Sequence, residues 1–336
     1  MGNNCTCWKN DPINQIEVRG NQKPKWQSLE LSKSQEQKII KMQSWIRGWQ
    51  ARQRVWKMQL QKYNESVNEQ LRTYSTSVIN VGQRQLPPFE FGIDDINDQF
   101  VHQKVLKAPS KLENGAMYFG EWLNELRHGK GILICEDGSK YEGYFQQGNA
   151  HGRGRLIHSN GEVYEGQWEN DEAHGLGTYI HEDGATYTGL WEHDLQHGKG
   201  CEKWPDGSYF EGFYKHGKKE GLGKFLWIDG AKYEGEFKGN NIDGYGKYSW
   251  PDNKYYQGYW KNNKKNGKGK YVWPDGKIYE GDFVNDQKHG QGILKFPDGR
   301  TYEGEWQNDK QHGKALLRLP NGKISNGEWK NGIRIN

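Results

Sequence analysis

The sequence is poor in the residues that build a conventional hydrophobic core or a membrane-spanning segment. Only 33% of its 336 residues are hydrophobic, and the mean hydropathy is −1.11. No run of roughly 18 apolar residues is present, so the sequence predicts neither a membrane-spanning helix nor an apolar signal peptide. Its four cysteines do not make a disulfide framework, and we expect a cytosolic protein.

Glycine and aromatic residues are abundant instead. The chain holds 45 Gly, 15 Trp and 19 Tyr. A disordered chain is poor in aromatic residues, whereas this combination favours short strands and tight turns, with aromatic rings supplying the buried surface. The charge is uneven, because residues 1–62 hold 12 Lys or Arg against 4 Asp or Glu and the rest of the chain is net acidic.

A unit of 23 residues recurs without insertion from about residue 112. Its copies contain strings such as KYEGYF, VYEGQW and IYEGDF, each starting one residue before an aromatic marker. A tenth, degenerate copy has Ser325 at the marker position. Such strict periodicity is typical of repeat architectures in which each copy packs on its neighbours. The nine aromatic markers are Tyr118, Tyr141, Tyr164, Tyr187, Phe210, Tyr233, Tyr256, Tyr279 and Tyr302.

Each copy carries two signals that we interpret as turns. The first is an Asp-Gly or Asn-Gly pair, such as Asp137-Gly138, which accepts positive φ and closes hairpins. The second is a Gly-X-Gly, which follows His in many copies. Alternation between them predicts a strand with Tyr141, Gly143 and Phe145 on one face, where the glycine leaves room for a ring. Nine or ten stacked hairpins would form a ribbon ~90–100 Å long.

The string Tyr-Glu-Gly-X-Trp, followed by His-Gly-X-Gly and Asp-Gly, resembles the MORN repeat (membrane occupation and recognition nexus). Related arrays occur in junctophilins, radial-spoke head proteins and some plant phosphoinositide kinases. The resemblance implies a mostly β fold, an elongated antiparallel β-hairpin array that contacts membranes or proteins. It does not imply catalysis. We assign residues 112–336 to nine repeats plus a degenerate tenth. Two copies depart from the pattern, with Phe210 as the fifth marker and Lys314-Ala315 in place of Lys-Gly in the ninth.

No residues of the array point to a cofactor, a metal ion or an active site, and we predict that the chain is not an enzyme. Six histidines hold equivalent positions, but copies ~10 Å apart cannot share one zinc ion with bonds of ~2 Å. We interpret them as turn residues that hydrogen-bond across the hairpin. The array is net acidic, so no nucleic-acid partner is predicted. The histidines are His128, His151, His174, His197, His289 and His312.

Two basic clusters within the array are candidates for contact with anionic lipid headgroups. The alternative is that these lysines are ordinary charges of solvated loops. The first cluster is Lys215, Lys218 and Lys219, and the second is Lys261, Lys264 and Lys265.

Residues 33–63 predict an N-terminal α-helix, because they contain one Gly, no Pro and a helical stripe of apolar residues. The stretch MQSWIRGWQAR resembles an IQ motif, which implies binding of calmodulin or a related EF-hand light chain. The alternative is a basic amphipathic helix that packs on the array or lies on a membrane. Residues 64–111 are interpreted as a linker, with 99–111 as a candidate half-repeat strand. The motif positions are Met42, Gln43, Ile46, Arg47, Gly48, Arg52 and Val55.

The first residues, MGNNCTCW, match an N-myristoylation signal, with Gly2 as the acceptor and Thr6 at the hydroxyl position. One myristoyl chain binds a membrane only marginally, so a second signal is required. Cys5 and Cys7 lie where palmitoyl chains would enter the same leaflet. We therefore predict that residues 1–32 are lipidated and disordered, against the alternative of a disordered start with two free thiols.

Together these features predict a non-enzymatic scaffold on the cytoplasmic face of a membrane, with the plasma membrane as first choice. Acylation anchors it, the array contacts anionic phospholipid or protein, and calmodulin-type binding regulates it. One alternative is a ciliary or axonemal structural protein resembling the radial-spoke relatives. Another is a regulatory subunit of a phosphoinositide kinase or a similar enzyme.

Overall fold

The computed structural model describes Met58, residues 86–91 and residues 103–336. The chain divides into two compact units, Met1–Gln85 and Leu86–Asn336. The residues predicted to be acylated, the IQ-like motif and all of the predicted helix except Met58 lie outside the described part. Within that part, no helix has the length and apolar character needed to cross a bilayer.

The second unit is one antiparallel sheet of 22 strands. From Met117–Leu123 onward each strand pairs with its neighbours in sequence. The two short strands before it, Val105–Leu106 and Ser110–Lys111, both pair with Met117–Leu123. The predicted mostly β array of antiparallel hairpins is confirmed. The strands are β1 Val105–Leu106, β2 Ser110–Lys111, β3 Met117–Leu123, β4 Leu126–Ile134, β5 Lys140–Gln146, β6 Asn149–Ile157, β7 Val163–Glu169, β8 Glu172–Ile180, β9 Thr186–Glu192, β10 Leu195–Lys203, β11 Tyr209–Lys215, β12 Lys218–Leu226, β13 Lys232–Lys238, β14 Asn241–Ser249, β15 Tyr255–Lys261, β16 Lys264–Val272, β17 Ile278–Val284, β18 Gln287–Lys295, β19 Thr301–Gln307, β20 Lys310–Arg318, β21 Ile324–Lys330 and β22 Ile333–Arg334.

Two kinds of connection alternate along the meander. The tight turn joins a seven-residue strand to the following nine-residue strand through two residues with positive φ, as at Asn170 (53°) and Asp171 (68°). Such turns match the right-handed twist of the strands they join. The second connection holds the Asp-Gly or Asn-Gly pair. There the carboxylate of Asp137 accepts a hydrogen bond from the Ser139 amide at 2.9 Å and closes the loop.

The prediction that the Gly-X-Gly forms a turn was wrong. In the first repeat it lies inside β4, and the tight turn lies before it, between β3 and β4. The register of β3 and β4 jumps between Gly120 and Trp122, so Gly129 (φ 80°) forms a β-bulge. The second glycine, Gly131, faces Gly120 across the ladder. Glycine is needed here because a bulge and a tight turn use the same left-handed backbone.

The marker rings lie across pairs of facing glycines, as the alternation predicted. A Cβ built on Gly143 would lie 2.5 Å from the Tyr141 hydroxyl, and one on Gly154 would lie 2.2 Å from it. Gly143 and Gly154 face each other on β5 and β6. The ring therefore fills the space that two side chains would otherwise occupy.

Contacts between aromatic rings make the core continuous from one repeat to the next. The Tyr141 ring packs edge-to-face on Phe145 of its own strand at 5.0 Å and on Trp168 of the next repeat at 5.2 Å. Equivalent pairs recur to Tyr302 and Trp329. Edge-to-face geometry suits aromatic quadrupoles, and each repeat buries its rings against its neighbour. We call this side of the sheet the aromatic face and the other side the mixed face.

The described part of the segment interpreted as a linker belongs to the array. β1 and β2 lie within the candidate half-repeat strand 99–111 and extend the sheet before residue 112. Residues 86–91 also belong to the second unit. They run without strand pairing and contact the mixed face.

Candidate interaction surfaces

A ladder of half-buried rings runs along the aromatic face beside the Asp-Gly turns. Successive ring centroids lie 4.4 to 5.7 Å apart. Sequence reasoning did not single out this ladder, although four of its tryptophans recur at the 23-residue step. The seven rings are Trp204, Phe225, Trp227, Tyr248, Trp250, Tyr271 and Trp273.

The two basic clusters predicted from the sequence divide into exposed and half-buried lysines. Lys219 lies on the aromatic face, where its Nζ is 2.5 Å from the Glu202 carboxylate and 4.9 Å from the Phe210 ring centre. Lys265 lies over the Tyr271 ring at 5.2 Å, and burial lowers its pKa. Both side chains therefore serve packing through cation–π contacts and are poorly placed to meet a flat lipid surface.

The other four lysines flank tight turns and are exposed. Lys215 lies directly opposite Lys218, and Lys261 lies directly opposite Lys264. Like charges facing each other across a ladder are destabilising. Lys238 occupies the same position in the repeat between them and is also exposed, a residue that the 23-residue step would have found. We call these five lysines the basic edge.

The basic edge lies in the fifth to seventh repeats, and single exposed lysines recur at equivalent positions nearer the C-terminus, at Lys310 and Lys330. The tight turn of the third repeat is flanked by Glu169 and Glu172, and that of the fourth by Glu192. His193 in the latter turn contacts the Glu172 carboxylate at 2.6 Å, and this hydrogen bond raises the pKa of His193. The turns of the array thus change from acidic to basic along one edge.

The equivalent histidines lie in the long strands, each just before a bulge glycine, rather than in turns. His197 Nδ1 lies 2.9 Å from the Glu192 carboxylate across the hairpin, without hydrogen-bond geometry. The Nδ1 atoms of His151 and His312 are buried without a hydrogen-bond partner. Among the described residues, no three His, Cys, Asp or Glu side chains converge as a metal site would require.

On the mixed face, residues 86–91 dock on the second repeat. The Phe91 ring packs edge-to-face on Tyr144 at 5.7 Å, and Phe89 packs on Phe91 at 5.0 Å. The guanidinium of Arg155 lies 5.4 Å from the Phe89 ring centre and donates a hydrogen bond to the Pro87 carbonyl at 2.8 Å. The side chain of Arg155 is only 6% exposed.

Comparison with known proteins finds the MORN repeat, whose family model matches residues 118–140, 141–163, 164–186, 187–209, 210–232, 233–255, 256–278, 279–299 and 302–324. A search among curated proteins returned no match. Among solved structures, the TCP10 domain of Danio rerio CPAP in complex with a peptide of Danio rerio STIL is 13% identical, with a TM-score of 0.36 over 66% of this chain and 99% of that one.

Two further solved structures match with lower TM-scores. The SAS-4 (dCPAP) TCP domain of Drosophila melanogaster, in complex with a proline rich motif of Ana2 (dSTIL), is 12% identical, with a TM-score of 0.24 over 73% of this chain and 99% of that one. The virginiamycin B lyase from Staphylococcus aureus is 16% identical, with a TM-score of 0.14 over 67% of this chain and 71% of that one. The family assignment depends on the repeat match, which covers more than half of the sequence. The chain belongs to the MORN-repeat family.

Proposed function

We propose that this protein is a non-enzymatic scaffold that lies against an anionic membrane through the basic edge of its array. The observation that carries the proposal is that two pairs of exposed lysines face each other across tight turns, Lys215 with Lys218 and Lys261 with Lys264. A free protein gains nothing from placing like charges opposite each other, and the arrangement costs stability. A surface of anionic headgroups would convert that cost into attraction.

The spacing of the basic edge suits a flat surface. Its three turns belong to consecutive repeats, so they lie roughly 10 Å apart along one side of the sheet. Each lysine near an anionic surface contributes about 1 kcal/mol of attraction. The four paired lysines and Lys238 would then hold the edge of the sheet on the membrane while both faces remain available to protein partners.

The N-terminal residues supply the stronger anchor in this proposal. Myristate on Gly2 together with palmitate on Cys5 or Cys7 gives the two signals that stable attachment needs. The basic segment 33–63 lies between this anchor and the array in the sequence. An EF-hand protein bound to the IQ-like motif would cover basic residues and weaken attraction to lipid, which is an electrostatic switch.

Vesicle co-sedimentation of the purified, unacylated full chain tests the basic edge. We expect binding to vesicles containing phosphatidylserine and a tenfold or greater loss of binding on Lys215→Glu/Lys218→Glu/Lys261→Glu/Lys264→Glu. The matched control reverses the same number of exposed lysines away from the tight turns, in Lys232→Glu/Lys247→Glu/Lys314→Glu/Lys323→Glu. Equal loss in both variants would mean that only net charge matters, and the basic edge would be rejected.

Imaging and extraction in cells test the anchor. Gly2→Ala and Cys5→Ser/Cys7→Ser should each move the protein from the membrane to the cytosol, since one acyl chain is insufficient. A membrane scaffold dissolves in nonionic detergent. Retention of the extracted protein on microtubules would favour the ciliary or axonemal alternative instead.

Calorimetry of the full chain with calmodulin tests the predicted helix. We expect binding, with or without calcium, that Arg47→Ala/Arg52→Ala weakens at least tenfold, because these cations would meet the acidic rim of the calmodulin groove. Absence of heat under both conditions would remove calmodulin from the proposal and leave the membrane contacts untouched.

A further inference from the structure

The site on which residues 86–91 dock recurs, with the same types of residue, farther along the same sheet. Its essential parts are an aromatic residue, Tyr144, and two cations on the adjacent strand, Arg153 and Arg155. Among the nine repeats, only the second and the seventh combine an aromatic residue with cations at both of these positions. Five repeats further along the sequence, the corresponding residues are Tyr259, Lys268 and Lys270.

The ladder pairings of the two sites correspond. Arg155 faces Glu165 on the next strand and pairs with its carboxylate at 2.9 Å. In the seventh repeat Lys270 faces Glu280 and pairs with it at 2.9 Å. The same residue types therefore meet in the same ladder register at both sites.

The two sites differ in what covers them. At the first site, Phe89 lies under the guanidinium groups of Arg153 and Arg155, and the Arg155 side chain is 6% exposed. At the second site, the side chains of Lys268 and Lys270 are 76% and 40% exposed. Tyr259 is 53% exposed.

A groove of about 560 Å³ lies at the second site. Tyr259, Lys268, Lys270 and Glu280 line it, together with Tyr245, whose ring packs edge-to-face on Tyr259 at 5.4 Å. Lys130 stands opposite Tyr144 at the first site, where Tyr245 stands opposite Tyr259 at the second. The second groove therefore offers more aromatic surface than the occupied one.

We propose that this groove binds a segment of a partner protein with the pattern proline–proline–aromatic–X–aromatic. The chain's own segment, Pro87 to Phe91, shows the features that such a ligand uses. The prolines hold the peptide extended, so little conformational entropy is lost on binding. The first ring packs under the cations, the second packs on the tyrosine, and a backbone carbonyl accepts a hydrogen bond from the inner cation.

The occupant is a partner rather than a second copy of this chain. The segment of each copy is tethered close to the second repeat, and this tether gives it a high effective concentration at its own site. A segment from another copy would first have to leave that site. The second groove is therefore available to a ligand from another protein. This proposal does not depend on membrane binding.

Fluorescence anisotropy with the full chain and a labelled peptide of residues 84–93, RQLPPFEFGI, tests the proposal. We expect saturable binding of one peptide per chain. Tyr259→Ala and Lys268→Ala/Lys270→Ala should each weaken it tenfold or more. Phe213→Ala is the matched control, because Phe213 is 49% exposed at the same position of the fifth repeat and should leave binding unchanged. Circular dichroism melting checks that each variant stays folded.

A second variant tests the proposal through the number of peptides bound per chain. Phe89→Ala/Phe91→Ala releases the tethered segment, so the number of peptides bound per chain should rise from one to two. No saturable binding, or binding that Tyr259→Ala leaves intact, would overturn the proposal. So would a concentration-dependent dimer abolished by both Tyr259→Ala and Phe89→Ala/Phe91→Ala, since the occupant would then be a second copy.

Discussion

The hydroxyl of Tyr141 donates a hydrogen bond to the carbonyl oxygen of Tyr144, three residues along the same strand, at 3.0 Å. Tyr144 has no counterpart on β6, because the register jumps between Gly143 and Phe145. The hydroxyl thus reaches a backbone group at the point where the ladder is interrupted. Each of the eight tyrosine markers makes this bond, at 2.8 to 3.1 Å. The bulge therefore explains why tyrosine recurs at the marker position rather than phenylalanine.

Exchange of tyrosine and phenylalanine at the markers should change stability in opposite directions. Phe210→Tyr should raise the free energy of unfolding by about 0.5–1.5 kcal/mol, because the new hydroxyl reaches the Phe213 carbonyl. Tyr256→Phe should lower it by a similar amount. Urea denaturation measures both, with Tyr259→Phe at an exposed position as the control. A stabilising Tyr256→Phe would contradict the role given to the hydroxyl.

Alanine at a ring-covered glycine should destabilise the array through overpacking. In Gly269→Ala the new Cβ would lie 2.3 Å from the Tyr256 hydroxyl, so the ring has to move at a cost of about 1–3 kcal/mol. Gly207→Ala separates this effect from backbone strain. Gly207 has φ 93° with no atom within 4 Å of the built Cβ, so its replacement should cost only the strain of a left-handed alanine, about 1–2 kcal/mol. An unchanged urea midpoint in Gly269→Ala would reject the overpacking argument.

High pH should unfold the array. Burial raises the pKa of the marker tyrosines, to about 12 for Tyr302, whereas the pKa of an unfolded tyrosine is 10.0. A raised folded-state pKa gives stability that is complete below about pH 10 and is lost as the pH rises through the folded value. Loss of circular dichroism and appearance of tyrosinate absorbance should therefore coincide above pH 10. Tyrosinate from the buried rings forming in a fully folded sheet would contradict this account.

Reversing one lysine of the basic edge should stabilise the free protein. Lys218→Glu places an opposite charge across the tight turn from Lys215, and we expect a gain of about 0.2–1 kcal/mol that shrinks in high salt. The matched control should change the free energy of unfolding in the opposite direction. Lys224 faces Glu234 and pairs with it at 3.1 Å, so Lys224→Glu should destabilise the sheet. Thermal melts at low and high salt measure both, and a destabilising Lys218→Glu would remove the argument for an electrostatic cost at this edge.

The sequence was sufficient for much of the fold because the repeat is local. The 23-residue step, the shared face of Tyr141 and Phe145, and the room left by Gly143 were all predicted and are observed. The Gly-X-Gly was misread, because glycine with positive φ serves a turn and a bulge equally well. Which of the two forms is decided by the pairing of β4 with β3, a contact that local sequence does not encode.

The candidate surfaces were also predicted only in part from the sequence. The sequence alone placed Lys215, Lys218, Lys261 and Lys264 together, since neighbours of one turn are close in any hairpin. Only the tertiary structure showed that Lys219 and Lys265 lie over aromatic rings and that Pro87 accepts a hydrogen bond from Arg155. Periodicity in the sequence determined which residues share a face, because side-chain direction follows from the backbone repeat. What covers each face depends on contacts between residues far apart in the chain, and these form only when the sheet has been built.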